Sequence, residues 1–302
     1  LRGGERADAF VDVHTVVDFA VGAAAAGAAV VADRYRRRHR AGLAAIGELK
    51  NALTGAQPQR PGVSIGSVVL SASPGMAVGG DLVDVFELDA RFTLLLVADI
   101  SGKGMAAAAH AAFIKYTIRT LALENDGEPA VVVAKFNAMF ARANTDAEGF
   151  VVLILGVIDS QTGDVRYASA GHEPAFLRHS SGRVTMLEPT GPIVGAAAYS
   201  AYRTASLTLD LGDMLVWTTD GVTESRDRRR RLLGCEGLAT WIVSAPPDVR
   251  GLADWLIGAL RRRSGGTSGD DVAVLAVAYD PLRDRGRPVA TPAARSTRRR
   301  TD

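Results

Sequence analysis

Apolar and polar positions change their rhythm several times along this 302-residue chain. Residues 63–71, 83–88 and 92–98 are short apolar runs bounded by glycine, proline or aspartate, the pattern of strands. The run 92–98 is continuous and reads as a strand buried on both faces. It forms a hairpin with 83–88 across Asp89-Ala90. Residues 105–123 then take up helical spacing, with Phe113, Ile114, Thr117, Ile118 and Leu121 on one face. A second helix over 129–143 opens at Pro129, where a missing N–H costs nothing. Strand signals resume: 150–158 pairs with 164–169, 175–178 with 184–187, and 205–211 with 214–219 across Gly212-Asp213. Helices over 236–244 and 249–263 and a last strand over 272–279 close the pattern. Hairpins dominate, which predicts mostly antiparallel sheets. The element order is α+β, with helices layered on sheets and not a βαβ winding.

The first sixty residues differ in kind. Residues 16–32 are almost wholly apolar, interrupted by Asp18, and a basic cluster follows at 34–40. The length is near the lower limit for crossing a bilayer, and a basic flank marks the cytoplasmic side. Asp18 is costly in lipid. Two readings stand: a membrane helix holding a cytoplasmic domain at the inner face of a bacterial cell membrane, or a soluble Ala-rich helix pairing with its copy in a homodimer. A cleaved leader would carry its charges before the apolar core, not after it. Leu43, Ile46, Leu49 and Leu53 recur at helical spacing and suggest a connector, broken by the Gly- and Pro-containing stretch 55–62. The chain therefore divides into an N-terminal segment (1–33), a basic stretch with connector (34–60), a folded domain (61–280) and a basic tail (281–302). The tail's composition predicts disorder. It is either a solvated end or a contact for anionic lipid.

Composition narrows the function classes. Hydrophobic residues make up 47% of the chain, enough for a sizeable core, but aromatics only 6%, so aliphatic side chains must fill it. A formal net charge of +2 is too small to imply a nucleic-acid partner. Cys235 is the single cysteine, which excludes an internal disulfide and a multi-cysteine metal site.

The candidate chemistry lies in aspartates beside glycine or a second acid. Asp81 follows two glycines. Asp99 ends the 92–98 strand before Ile-Ser-Gly-Lys-Gly. Asp220 stands in Trp-Thr-Thr-Asp-Gly, and Asp270-Asp271 follow a glycine-rich stretch. Glycine lets backbone bend sharply and approach a ligand. Carboxylate oxygens suit hard cations such as Mn²⁺ or Mg²⁺, and several carboxylates repel one another unless cations lie between them. Two such ions can activate a water and grip a phosphoryl group. Singly, an Asp-Gly marks a turn; the joint occurrence at strand ends carries the reading. Rival motifs fail. A P-loop needs Ser or Thr where Gly104 stands. His172 has no catalytic partner nearby and no nucleophile elbow accompanies it, so it reads as a structural turn residue. Asp220 as a covalent phosphoryl acceptor lacks a second acid two residues away.

Five segments carry a resemblance: Gly-Gly-Asp-Leu-Val-Asp-Val-Phe at 79–86, Ala-Asp-Ile-Ser-Gly-Lys-Gly at 98–104, Tyr-Ala-Ser-Ala-Gly-His-Glu-Pro at 167–174, the stretch 212–224 around Thr-Thr-Asp-Gly, and Gly-Asp-Asp-Val-Ala-Val-Leu at 269–275. In this order the chain, from about residue 63 to 279, resembles the PP2C-type (PPM) serine/threonine phosphatases, in their bacterial SpoIIE/RsbU-like branch. The resemblance implies a PP2C-like αββα sandwich of two mostly antiparallel sheets flanked by helix pairs. It implies two Mn²⁺ or Mg²⁺ ions, bridged by Asp99, with Ile100 offering its backbone carbonyl. Asp220 and Asp270 would hold one ion, and Asp81 the other, directly or through water. It further implies hydrolysis of phosphoserine by a metal-activated water, on a phosphorylated STAS-type anti-sigma-factor antagonist. The sequence departs from the family at Leu82 and Val83, where aromatics are common, and at Ser169, where Asn is common. A non-catalytic regulatory module of the same fold, binding a partner through the same face, is the alternative.

Overall fold

The computed structural model describes residues 60–71, 80–100, 105–143, 149–265 and 270–281. The expected apolar helix at 16–32, the connector at 41–53 and the tail beyond 281 lie outside the described residues. Among the described residues no helix is long and apolar enough to cross a membrane.

The chain forms β1 (Gly62–Leu70), β2 (Leu82–Glu87) and β3 (Phe92–Ile100), then α1 (Met105–Glu124) and α2 (Pro129–Ala143). Strands β4 (Val151–Asp159), β5 (Asp164–Ala170), β6 (Ala175–Arg178), β7 (Val184–Leu187), β8 (Ala205–Thr208) and β9 (Met214–Thr218) follow. The chain ends with the single turn α3 (Asp220–Thr223), helices α4 (Gly234–Ser244) and α5 (Val249–Ser264), and β10 (Val272–Asp280). One antiparallel sheet has the order β1-β10-β9-β6-β7 and the other β2-β3-β4-β5-β8.

The layering follows from side-chain alternation along the strands. Val83 and Val85 of β2, Leu95 and Val97 of β3, and Ile154 of β4 face inward. There they meet Leu215 and Trp217 of β9 and Leu275 and Val277 of β10, and this cluster fills the space between the sheets. The opposite face of β3, with Leu94 and Leu96, packs against Ile114 and Ile118 of α1 and Phe136 of α2. Met214, Val216, Val272 and Val274 pack in turn against Leu238 and Ile242 of α4 and Leu252 and Leu256 of α5. The result is an αββα sandwich with one apolar cluster in each of its three interlayer spaces. Gly156 on β4 sits where a Cβ would come within 2.7 Å of the Trp217 ring, so the absent side chain makes room for the indole.

Three of the four expected hairpins form as expected, in β2–β3, β4–β5 and β6–β7. The fourth does not. β8 pairs with β5 at the edge of one sheet, whereas β9 lies between β10 and β6 in the other. Burial gives the reason: β8 is alternately exposed and suits an edge, while all five residues of β9 are buried and need a neighbour on each side. The turn at Gly212, with φ of +88°, therefore passes the chain between sheets and does not close a hairpin. On α1, Ile114, Ile118 and Leu121 are buried as expected, but Phe113 is 38% exposed.

One ionic contact pins a helix layer to its sheet. Asp84 points outward from β2, and both its oxygens accept from Arg119, at 2.7 Å each. Lys115 adds a 3.3 Å ion pair to the same carboxylate, and the side chains of Asp84 and Lys115 are only 4% and 6% exposed. Arg119 also lies over the Phe86 ring at 4.5 Å. Removing one partner of a buried ion group strands the others. Asp84→Ala is therefore expected to lower the free energy of unfolding by about 3 kcal/mol, read from urea denaturation; a loss near zero would show that the triad holds nothing in place.

Candidate active site

At one end of the sandwich the inward-facing rows change from aliphatic to polar. On β2 the alternation Val85, Val83 continues to Asp81; on β3 Leu95, Val97 continues to Asp99. On β10 Val277, Leu275, Ala273 continues to Asp271, and on β9 Leu215, Trp217 continues to Thr219. The β2–β3 register sets Leu82 opposite Ala98, so Asp81 and Asp99 fall at the next position along the same pair. An antiparallel hairpin thus brings together two acids eighteen positions apart in sequence.

Thr219 ties the two sheets at this point. Its hydroxyl donates to Asp81 Oδ2 at 2.6 Å and accepts the Ala273 N–H at 2.8 Å. Its own N–H donates to the Ala273 carbonyl at 3.1 Å. A second bridge runs from the Gly80 N–H to Asp271 Oδ2 at 2.8 Å. Two glycines permit the close approach. A Cβ on Gly80 would lie 2.4 Å from the Ile100 carbonyl oxygen, and one on Gly221 would lie 1.9 Å from the Asp271 carbonyl oxygen. The second contact presses the α3 turn, which begins at Asp220, against the start of β10.

The electrostatics follow from this crowding. Burial pushes the Asp81 carboxyl up to about 8; the Thr219 hydrogen bond works against that rise, and Asp99, Asp271 and Asp220 add to it. Burial also raises Asp99, as do the charges of Asp270 and Asp271, while a hydrogen bond with Asp81 opposes them. Asp220 is pushed up to about 6 by burial and then by Asp99, Glu224, Asp270 and Glu173. Each shift has the same origin: a carboxylate withdrawn from water beside others of its own sign. Such a donor set fits a hard divalent cation, which supplies the missing countercharge through oxygen ligands. Among the described residues, no three of these side chains already stand at the spacing of a finished metal cluster. The carboxylates share one neighbourhood, close enough to act on one another's charge.

The aspartates singled out in the sequence, Asp81, Asp99, Asp220 and Asp270, thus act on one another, and the Ile100 carbonyl faces Gly80 beside them. Sequence reasoning gave no separate role to Asp271, Thr219, Glu173 or Glu224. Asp271 and Thr219 adjoin singled-out acids, and that adjacency was the only available signal. His172 is buried, with Nδ1 2.9 Å from the Glu173 carbonyl oxygen, and burial pushes it down to about 4, so the ring is neutral. Cys235 Sγ donates to Glu173 Oε2 at 3.4 Å. Burial and then the Glu173 charge push its thiol up to about 11, which leaves it unreactive.

Thr219 is the residue on which the two sheets meet, so Thr219→Val tests the arrangement. The variant keeps the shape but leaves the Ala273 N–H without its acceptor and Asp81 without its donor. A loss of about 2 kcal/mol in unfolding free energy is expected, the cost of a buried group left unpaired. Unchanged stability would mean that the two hydrogen bonds do not bind the sheets together.

Comparison with known proteins gives a family match and several relatives. Residues 89–280 match the family model "Stage II sporulation protein E (SpoIIE)". The chain is 29% identical over 233 residues to Protein IcfG of Synechocystis, covering 68% of this chain and 36% of IcfG. It is 31% identical over 170 residues to the phosphoserine phosphatase RsbU of Bacillus subtilis, covering 56% of this chain and 49% of RsbU. It therefore spans less than half the length of either curated relative. The crystal structure of the RsbU and RsbW domains of a Mycobacterium tuberculosis protein superposes with a TM-score of 0.64 at 26% identity, over 76% of this chain and 63% of that one.

Proposed function

The chain belongs to the SpoIIE family of PP2C-type phosphatase domains, and from that premise we propose that it is a metal-dependent protein serine/threonine phosphatase acting on phosphoserine. Phosphatases of this family are metal-dependent. The observation that carries the reading is the group of carboxylates in which burial, and then the charge of neighbouring acids, holds Asp81 and Asp220 well above the usual carboxylate range. Two Mn²⁺ or Mg²⁺ ions would be held here by Asp99 with the Ile100 carbonyl beside it, Asp220 and Asp270 serving one ion and Asp81 the other. When bound, the ions would supply a water nucleophile at neutral pH and charge neutralisation for the phosphoryl oxygens.

The chain's own residues have defined parts in this scheme. Thr219 aims Asp81 by donating to its Oδ2. The Gly80 N–H orients Asp271 in the same way. The stiff β2–β3 pair fixes Asp81 and Asp99 relative to each other, so the ions would set the protonation of the pair and not its position. The proposed substrate is a phosphorylated STAS-domain protein, in keeping with the RsbU-like relatives.

The test is release of inorganic phosphate from a phosphoserine peptide with and without Mn²⁺. Phosphate release that requires the metal, stops on chelation and falls below detection in Asp99→Asn is expected. A wild-type chain that binds Mn²⁺ and a partner protein but releases no phosphate would instead identify a non-catalytic regulatory module.

A further inference from the structure

The segment just after the α3 turn carries five arginines in six positions: Arg226, Arg228, Arg229, Arg230 and Arg231, with Asp227 among them. Such a run is ordinarily a solvated, floppy stretch, but here the backbone is tied at several points. Arg226 and Leu232 form an antiparallel bridge. The Leu233 N–H donates to the Ser225 carbonyl at 3.0 Å, closing the loop at its base. Inside it, Asp227 accepts from the backbone N–H groups of Arg229 and Arg231 at 2.8 and 2.9 Å. From α5, Arg263 Nη2 donates to the Arg231 carbonyl at 2.7 Å. The loop is a fixed platform, and its arginine side chains are exposed. Arg261 and Arg262, beside Arg263 in the last turn of α5, extend the positive charge.

The location gives the platform its meaning. Glu224, the residue before its base, donates its backbone N–H to the Asp220 carbonyl at 2.7 Å. A tethered cationic surface therefore borders the cluster of carboxylates. An approaching phosphoprotein carries negative charge toward that cluster. A fixed positive rim supplies the opposite field and steers encounter. We propose that the arginine loop 225–233 is a docking surface for acidic side chains that flank the phosphoserine of a protein substrate. This rests on the phosphatase reading for what enters the cleft, but not for the binding itself.

The full chain and its Arg228→Glu/Arg229→Glu variant separate the possibilities. Neither guanidinium takes part in the loop's own hydrogen bonds among the described residues, so the variant keeps the fold. The probes are two synthetic phosphoserine peptides, one flanked by Asp and Glu and one by Ser and Gln, read by fluorescence anisotropy, together with Mn²⁺-dependent hydrolysis of para-nitrophenyl phosphate. The wild-type chain is expected to bind the acidic peptide about fivefold more tightly than the neutral one at low salt, the equivalent of two exposed ion pairs. The preference should vanish in the variant and fade with added salt, while para-nitrophenyl phosphate hydrolysis stays unchanged. Equal binding of both peptides by the wild type, or a preference that survives in the variant, overturns the proposal. So does loss of binding to phosphatidylserine vesicles in the variant with no effect on either peptide, which would assign the loop to a membrane. If the wild type fails to hydrolyse para-nitrophenyl phosphate, the phosphatase reading falls, and anisotropy still decides the docking surface.

Discussion

Carboxylates that share a water-poor cleft repel one another, and the end of this sandwich is built around that conflict. Every strand that supplies an acid or its partner is apolar along the same face up to the last position. Asp81, Asp99, Asp271 and Thr219 each take the place where the next Val or Leu of an inward row would stand. The sheets are held rigid by their apolar interior, so the acids cannot move apart to relieve the repulsion. Burial first, and then this repulsion, pushes the Asp81 carboxyl up to about 8. Bound cations would relieve the repulsion.

The same logic explains the distribution of glycine and threonine near the site. Close packing of two sheets at their polar end needs backbone to meet backbone, and Gly80 and Gly221 permit it. Thr219 contributes one hydroxyl that accepts from one sheet and donates to the other. On the far side of β2, Asp84 is satisfied by Arg119 and Lys115, so two acids three positions apart, one on β2 and one just before it, have opposite fates. Asp84 is paired with protein cations, whereas burial and then neighbouring carboxylates raise Asp81. The contrast separates an acid that holds structure together from one available to a ligand.

Much of this architecture was legible in the sequence where the contacts are local. Hairpins β2–β3, β4–β5 and β6–β7 announce themselves through short turns between alternating runs. The hairpin read at Gly212 failed because the partner of β9 is chosen by burial on both faces, a property that a turn signal does not carry. Convergence of Asp81 with Asp99 followed from a hairpin register. That of Asp220 with Asp270 needed the pairing of β9 with β10, which is nonlocal. Thr219 was invisible as a functional residue because its importance lies in two hydrogen bonds to distant segments. Glu173 lies between β5 and β6, where the chain crosses from one sheet to the other, and no periodicity marks that crossing.

The central claim is that this cleft exists to hold a pair of cations between its two sheets. Anomalous diffraction from crystals of the chain grown with Mn²⁺ tests it most directly. The account predicts two peaks about 3.5–4 Å apart, as in two-metal phosphoryl-transfer sites, with Asp99 between them and Asp81, Asp220 and Asp270 around them. Fully occupied Mn²⁺ elsewhere on the molecule, with the four aspartates left bare, would contradict it.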